Sequence, residues 1–316
     1  MKLLPVFLTL AALLPGCGGS PPISAPGAML QSRAIAREAD RGKSWMLPEA
    51  KSKDLLYISD VYGVHIFSYP KGLHVGNIYG FASPAGLCSD QKGDVFVTDT
   101  PTYHVYEYAH GSTKRLKTLY DNYIDFGPID CSVDPTTGNV AVASADTPYV
   151  VVFPRVENKP RVYGDSHTVM YRLAYDDKGN LFVDQRFIHR CKECTHNYIG
   201  ELPKGATKFE KFLLDKRILV GGGIQFDGEH VAIEDLPSHV VYRLRFSGPK
   251  AIIIVGNTPL KGTTWVEQFW VQGKTLIGPD ENSTVYFWKY PEGGSPASSV
   301  GGFTLNYGST VSVAPS

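Results

Sequence analysis

The sequence has no net charge, and this absence narrows the classes of molecule that the protein is expected to bind. Its 316 residues carry 31 lysines and arginines against 31 aspartates and glutamates. No basic run interleaved with aromatic residues is present, so the chain offers nucleic acid no field of opposite charge. Beyond the N-terminus, no apolar stretch is long enough to span a membrane as a helix. Nucleic-acid binding is therefore not expected.

Signatures of catalysis are missing as well. The sequence contains no G-x-S-x-G segment, the turn that presents a serine nucleophile in many hydrolases. No nucleophile, base and orienting group can be brought together from their spacing. The sequence leaves enzymatic activity open and favours a role without catalysis.

What the sequence does contain is an internal repeat. Each copy pairs a short apolar strand, a turn and a second apolar strand, at 85–99, 130–144, 172–184, 223–235 and 267–280. We take six positions as equivalent: Leu87, Cys131, Leu173, Ile224, Glu267 and Val311. Their spacings of 44, 42, 51, 43 and 44 residues are typical of one four-stranded propeller blade.

The two ends of the chain complete one copy of this repeat. Residues 309–315 read like a first strand, whereas the copy that opens at Asp54 begins on its second strand. Pairing the two places Val311 beside Leu56. The sequence therefore predicts an all-β fold, a six-bladed β-propeller closed by a C-terminal strand that completes the first blade.

Three segments carry a family resemblance: L-L-Y-I-S-D at 55–60, Y-A-H-G at 108–111 and D-P-T-T-G-N-V-A-V at 134–142. With them, residues 45–315 resemble six-bladed propellers of the NHL-repeat and gluconolactonase-like kind, and more narrowly bacterial lipoprotein propellers. The gluconolactonase-like resemblance implies an alternative function, a hydrolase with one metal at the channel mouth held by Glu, Asn and Asp. No Glu or Asn of this chain matches that pattern, so no catalytic residue is carried over.

The N-terminal residues predict where in the cell the protein is located. Lys2 precedes an apolar run at 3–14, and L-P-G-C follows at 14–17, which resembles a bacterial lipoprotein signal with its lipobox. We expect lipidation of Cys17 and an extracytoplasmic protein anchored in the bacterial cell envelope. The predicted division is a signal peptide at 1–17, a tether at 18–53 and the propeller at 54–316.

Four further cysteines remain. Cys88 and Cys131 fall on the first strands of neighbouring blades, one residue out of step, which favours two buried thiols over a bridge. Cys191 and Cys194 lie in an insertion at 185–197 that also contains two histidines. A disulfide between them is favoured, with free thiols and a zinc site as alternatives.

The connections between second and third strands predict a ligand-binding face. Its candidate residues are Asp60, Asp99, His104, Asp184, Asp235 and Asp280, with Tyr62, Tyr103, Tyr149, Glu234, His239 and Glu281 nearby. Such carboxylates could hold a divalent cation, calcium or zinc, with the oxygen ligands that calcium prefers. The alternative, which we favour for any single aspartate, is a carboxylate that closes its turn by accepting backbone hydrogen bonds. We expect a monomer that binds a protein, glycan or small molecule.

Overall fold

The computed structural model describes residues 42–120, 122–124, 127–145, 147–156, 159–164, 168–187, 198–214, 216, 218, 220–246 and 251–315. Lipidation at Cys17 and a disulfide between Cys191 and Cys194 fall outside these residues. The described chain is almost entirely short β-strands, with single-turn 3-10 helices at Pro48–Ser52, Thr100–Thr102, Asn122–Ile124 and Leu236–Ser238. Among the described residues, no helix combines the length and apolar character that crossing a bilayer requires.

The first sheet joins the two ends of the described chain. Its strands are β1 (Trp45–Met46), β2 (Leu55–Asp60), β3 (Gly63–Ser68), β4 (His74–Ile78) and β25 (Ser309–Ser312), in the order β1-β4-β3-β2-β25. Leu56 lies opposite Val311 in the antiparallel pairing of β2 with β25. At the other edge, Trp45 pairs with Asn77, so the last part of the predicted tether packs on the sheet.

Two four-stranded antiparallel sheets follow. One consists of β5 (Pro84–Ser89), β6 (Val95–Asp99), β7 (His104–Tyr108) and β8 (Arg115–Leu119). The other consists of β9 (Pro128–Val133), β10 (Val140–Ser144), β11 (Tyr149–Phe153) and β12 (Arg161–Gly164).

The next sheet has eight strands. Its first half is β13 (Thr168–Tyr175), β14 (Leu181–Phe187), β15 (Tyr198–Leu202) and β16 (Glu210–Leu214). Its second half is β17 (Gly221–Phe226), β18 (Val231–Asp235), β19 (Val240–Phe246) and β20 (Ala251–Pro259). Each half is antiparallel, and a parallel pairing of β16 with β20 joins them through their outer strands. The last sheet is β21 (Trp270–Gln272), β22 (Thr275–Asp280), β23 (Thr284–Lys289) and β24 (Ser298–Gly301).

The sheets are arranged like the blades of a propeller. The first strands β25, β5, β9, β13 and β17 contact one another in that order. The Gln225 side chain of β17 then accepts a hydrogen bond of 2.5 Å from the backbone N–H of Val271 in β21. The first strands therefore line the centre of this propeller-like arrangement, which we call the channel.

Alternating side chains explain why the sheets stack. Leu55 and Tyr57 of β2 face a core shared with Leu87 of the second sheet. Leu56 and Ile58, from the same strand, face a core shared with the last sheet. Because successive strand residues point to opposite faces, one apolar strand contributes to two cores.

We name the two ends of the channel for the connections found there. The mouth face is where second strands end and third strands begin, as at Asp60 and Asp99, and where the chain enters each first strand. The turn face is where first strands turn into second strands, as at Asp90 and Asp134.

Candidate functional site

The mouth-face aspartates are buried and used by the backbone. Asp99 accepts hydrogen bonds from the N–H groups of Ala82 and Ser83, at 3.1 and 2.7 Å, and from the hydroxyl of Thr102 at 3.0 Å. Ala82 and Ser83 belong to the segment that leads into β5. Asp99 therefore fastens the end of a second strand to the start of the first strand beside it.

Asp60 and Asp280 repeat this arrangement. Asp60 accepts the N–H groups of Tyr62 and Thr304, and Asp280 accepts those of Thr264 and Asn282. Burial opposes ionisation of Asp60, but the hydrogen bond and charge of His65 outweigh it and lower the pKa of that carboxyl. These contacts match the turn-closing alternative for the recurring aspartates.

The remaining candidates differ in their surroundings. Asp184 is fully buried, and Asp235 accepts a 2.5 Å hydrogen bond from the hydroxyl of Ser238. His104 stacks on Tyr106, with ring centroids 5.7 Å apart, and lies 5.4 Å from Tyr120. No three or more His, Cys, Asp or Glu side chains in the described ranges are arranged to hold a metal ion. The predicted calcium or zinc stays a prediction.

The mouth face also carries the exposed tyrosines. Every tyrosine classed as exposed among the described residues lies there: Tyr62, Tyr103, Tyr120 and Tyr149, at 51, 42, 49 and 37% exposure. They belong to the first three sheets in chain order. Leu305, in the segment that leads into β25, is 43% exposed on the same face. Each of the first three sheets thus contributes exposed tyrosines to the mouth face, and we call this set of four the tyrosine arc.

Inside the channel, Gln268 crosses from one side to the other. Its side-chain oxygen accepts the N–H groups of Leu87 and Ser309, at 3.1 and 3.2 Å. Its side-chain nitrogen donates to the carbonyl of Leu87 and to the carboxyl of Asp130, at 2.9 and 2.8 Å. One amide therefore links four segments and fills the middle of the channel.

Beside Gln268 lies a partly buried ion pair. Arg172 of β13 pairs with Glu267 and donates to the carbonyl of Ile129 at 3.1 Å. The other oxygen of Glu267 accepts a hydrogen bond of 2.6 Å from the indole N–H of Trp265. Burial raises the pKa of Asp130 to about 6, although the neighbouring Arg172 acts in the opposite direction.

Glu234 is the exception in this region. Its side chain is fully buried, and neither carboxyl oxygen has a hydrogen-bond partner among the residues that the structure describes. Burial, together with the charges of Glu267 and Asp280, raises its pKa well above 4.5. Buried polar groups nearly always have partners, so an unpaired carboxyl here marks an unusual place in the fold.

The turn face holds the cavities. One of about 400 Å³ opens at the end of the first strands and is lined in part by Cys88, Tyr175, Phe226 and Trp270. A second, of about 580 Å³, shares Trp270 with it and extends to Arg155. The sequence analysis placed the ligand face at the mouth, and the structure adds this concave surface at the opposite end.

Cys88 and Cys131 form a disulfide, with a Cα–Cα distance of 5.7 Å. The expectation of two unbonded thiols, based on their one-residue offset, was wrong. Cys88 points away from the first sheet, and Cys131 points back towards the second, into one shared core. Neighbouring first strands present opposite faces to each other, so an offset of one residue brings the two side chains together.

Sequence reasoning missed Gln268, Arg172 and Asp130, and it treated Glu267 as a first-strand position. The structure begins that strand at Trp270, and Glu267 precedes it. One signal was available, since β17 opens with three glycines, Gly221–Gly223. A first strand without side chains at its start indicates that other groups fill the channel there.

Comparisons with known proteins agree on the fold. No protein-family model and no curated protein sequence matches the chain. A crystal structure of a nidogen/laminin complex matches with a TM-score of 0.67 at 14% identity, over 83% of this chain and 100% of that one. The Swd1 β-propeller domain of Myceliophteria thermophila gives 0.57 at 10%, over 85% and 89%. A streptogramin B lyase gives 0.51 at 11%, over 75% and 71%. The chain has a propeller-like all-β fold.

Proposed function

We propose that this protein is a lipid-anchored, extracytoplasmic six-bladed propeller that binds a partner protein through its mouth face and catalyses no reaction. The observation that carries the proposal is the tyrosine arc. Tyrosine offers a large contact area at a low cost in side-chain entropy, and it is enriched among the residues that dominate protein interfaces. A protein surface that serves no partner has little reason to collect its exposed aromatic side chains on one face.

Six blades follow from counting each half of the eight-stranded sheet as one blade. Each half has four antiparallel strands and its own first strand on the channel, β13 or β17. In the first blade, β25 pairs with β2 and supplies the innermost strand, beside β2, β3 and β4. This count supports a closed ring with no exposed seam between the chain ends.

The disulfide supports the extracytoplasmic part of the proposal. Disulfides such as Cys88–Cys131 persist in oxidising compartments and are rare in the cytosol. The L-P-G-C segment at 14–17 supplies the lipid-attachment signal. Replacing Cys17 with serine should move the protein from the membrane fraction to the soluble fraction.

The binding proposal is tested by crosslinking the anchored protein in its native envelope and identifying captured proteins. The test variant combines Tyr62→Ser, Tyr103→Asn and Tyr149→Ser. Asparagine suits position 103 because Tyr103 has a φ of 61°, a conformation that asparagine tolerates. We expect at least a tenfold loss of the captured partner, since aromatic hot spots are worth about 2 kcal/mol or more each.

A matched control removes exposed apolar side chains from the turn-face side. Val156→Ser with Val313→Ser changes residues that are 93% and 48% exposed, and capture should persist. Equal capture by the tyrosine variant and the wild type would rule out the mouth face as the binding surface. Loss of capture in the control alone would move the interface to the turn face.

The neighbouring structures are consistent with this proposal and do not replace the test. One of them is a complex of nidogen with laminin, in which a propeller belongs to a protein assembly. At 14% identity the shared feature is the fold, which supports many functions. The tyrosine arc is a property of this chain.

A further inference from the structure

The two cavities at the turn face adjoin at Trp270. The cavity of about 400 Å³ and the cavity of about 580 Å³ share four lining residues, Ser89, Val133, Pro135 and Trp270. The two spaces therefore form one concave surface, which we call the turn-face groove. Trp270 is partly exposed, so an elongated ligand that lies across it can occupy both cavities.

Two glutamine amides flank Trp270, one in each cavity. Gln225 lines the smaller cavity, and its side-chain oxygen accepts the backbone N–H of Val271 at 2.5 Å. Gln272 lines the larger cavity, and its side-chain oxygen accepts the indole N–H of Trp270 at 3.2 Å. Because both partners can only donate, these contacts fix which end of each amide is the NH₂ group. Neither NH₂ group donates to a protein acceptor in the part of the chain that the structure describes.

The charges around the smaller cavity disfavour an anionic ligand. Asp176, Asp177 and Asp227 line this cavity, and its described lining residues include no lysine, arginine or histidine. Asp176 and Asp227 already accept several hydrogen bonds from the protein itself. A carboxylate repels a second negative charge. A ligand that supplies acceptors to the free NH₂ groups must therefore do so with neutral oxygens, such as those of carbonyl groups.

The inner end of the smaller cavity is apolar. It is lined there by four buried residues, Leu87, Leu173, Ile224 and Phe269. Gln268 lies beside them, but its amide is fully engaged in the hydrogen bonds that cross the channel. Ligand pockets typically combine such an apolar lining with a few placed polar groups. A methyl group suits this end, because burying an unpaired hydroxyl group costs free energy.

We propose that the turn-face groove binds a neutral oligosaccharide that carries acetamido groups. The carbonyl oxygen of an acetamido group accepts from the free NH₂ groups of Gln225 and Gln272, and its methyl group suits the apolar inner end of the smaller cavity. A pyranose ring has an apolar face that lies against the Trp270 indole, since an aromatic side chain offers a large apolar area while its polar N–H bonds elsewhere. This site lies at the opposite end of the channel from the tyrosine arc.

The probes are chitotetraose, a chain of N-acetylglucosamine units, and cellotetraose, which has the same linkage but carries hydroxyl groups in place of the acetamido groups. Each is titrated by calorimetry into the full chain in detergent micelles. We expect saturable binding of chitotetraose, and binding of cellotetraose that is about tenfold weaker or more. Trp270→Leu keeps an apolar side chain but removes the ring, and it should weaken chitotetraose binding about tenfold.

Two further variants remove the free donors and keep the internal hydrogen bonds. Gln225→Glu and Gln272→Glu retain the oxygen that accepts from the protein, but they replace the NH₂ group with a second oxygen. Each should weaken chitotetraose binding about tenfold, because an acceptor then faces the acetamido carbonyl. The matched control is Asn122→Asp, at an exposed amide on the mouth face whose oxygen also accepts a hydrogen bond, from Tyr120. This variant should bind chitotetraose as the wild type does.

The proposal would be overturned by a lack of saturable chitotetraose binding in the wild type, or by equal affinities for the two sugars. Unchanged chitotetraose affinity in Trp270→Leu and in both glutamate variants would overturn it as well. Saturable binding of acetyl-tetraalanine amide that requires Trp270, without binding of chitotetraose, would assign the groove to peptides instead. None of these outcomes depends on whether a partner protein binds the tyrosine arc.

Discussion

Two kinds of buried carboxyl lie at the mouth ends of the second strands, and they differ in what surrounds them. Asp60, Asp99 and Asp280 recur at the same place in the repeat, and each accepts backbone N–H groups. Glu234 lies one residue before Asp235, the aspartate of its own strand, and accepts none. A carboxyl that recurs in several sheets and accepts backbone N–H groups serves the sheet, whereas one that departs from the repeat calls for a separate explanation.

The position of Glu234 sharpens this contrast. At the equivalent position, Ser59 donates to the carbonyl of Ala85 at 2.5 Å, and Thr98 donates to the carbonyl of Gly86 at 3.1 Å. In these two sheets a small hydroxyl group fastens a second strand to a first strand. Glu234 places a longer, acidic side chain at this position, closely packed against Gly222 of β17.

The largest effect is expected from Asp99→Ala. This change leaves the N–H groups of Ala82 and Ser83 and the hydroxyl of Thr102 without their charged acceptor. Hydrogen bonds to charged groups contribute about 1.5–3 kcal/mol each, and their losses overlap, so we expect a fall of about 3–5 kcal/mol in the free energy of unfolding, measured in urea. Asp99→Asn keeps one acceptor oxygen and should lose less. A fall in stability of less than about 1 kcal/mol in Asp99→Ala would contradict the stabilising role that we assign to the recurring aspartates.

An intermediate effect is expected from Gln268→Leu. The variant keeps an apolar stem but leaves the N–H groups of Leu87 and Ser309 without their acceptor inside the channel. Unpaired buried groups cost about 1–3 kcal/mol each, and we expect a total loss of about 2–4 kcal/mol in urea denaturation. Gln272→Leu removes a single hydrogen bond from Trp270 and serves as the control. Equal losses of stability in the two variants would show that the Gln268 amide stabilises the fold no more than the Gln272 amide does.

The smallest effect, and one of opposite sign, is expected from Glu234→Gln. Burial, Glu267 and Asp280 raise the pKa of Glu234 in the folded protein above 4.5. The folded state then binds the proton more tightly than the unfolded state, so wild-type stability falls as the pH rises from 4.5 towards the folded pKa. Glutamine does not ionise. The variant should be the more stable protein at neutral pH, and its advantage should shrink as the pH falls from the folded pKa of Glu234 to 4.5.

Urea denaturation over a pH series measures this difference directly. Glu229→Gln, at an exposed carboxylate, should follow the wild-type curve within about 0.5 kcal/mol. A Glu234→Gln variant that is less stable than the wild type at neutral pH would mean that the carboxyl has a partner in solution. It would then belong with Asp60 and Asp99.

The sequence was sufficient wherever the repeat determines the structure. Strand order, the pairing of Leu56 with Val311 and the backbone role of Asp99 follow from alternation, turn residues and recurrence. The disulfide was missed because the direction of each cysteine side chain was judged from its position along its own strand. Cys88 and Cys131 lie on neighbouring strands that present opposite faces to each other. Between neighbouring first strands of a propeller, an offset of one residue therefore brings two side chains together.

The contacts inside the channel could not be predicted from the sequence, for a different reason. Arg172 and Glu267 are 95 residues apart, and Gln268 and Leu87 are 181 apart. No local pattern relates these positions, since each contact depends on how several sheets converge. The glycine run of β17 and the carboxyl beside Asp235 do depart from the repeat in a way that is visible in the sequence.

The pairing of β2 with β25 has a consequence for biosynthesis. Ser59 and Gly308, which are hydrogen-bonded across this seam, are 249 residues apart. Ribosomes make β2 long before β25, so the inner edge of β2 stays unpaired until β25 has been synthesised. Unpaired strand edges invite aggregation. The first sheet can therefore complete its inner edge only after the strands of the other sheets have been synthesised.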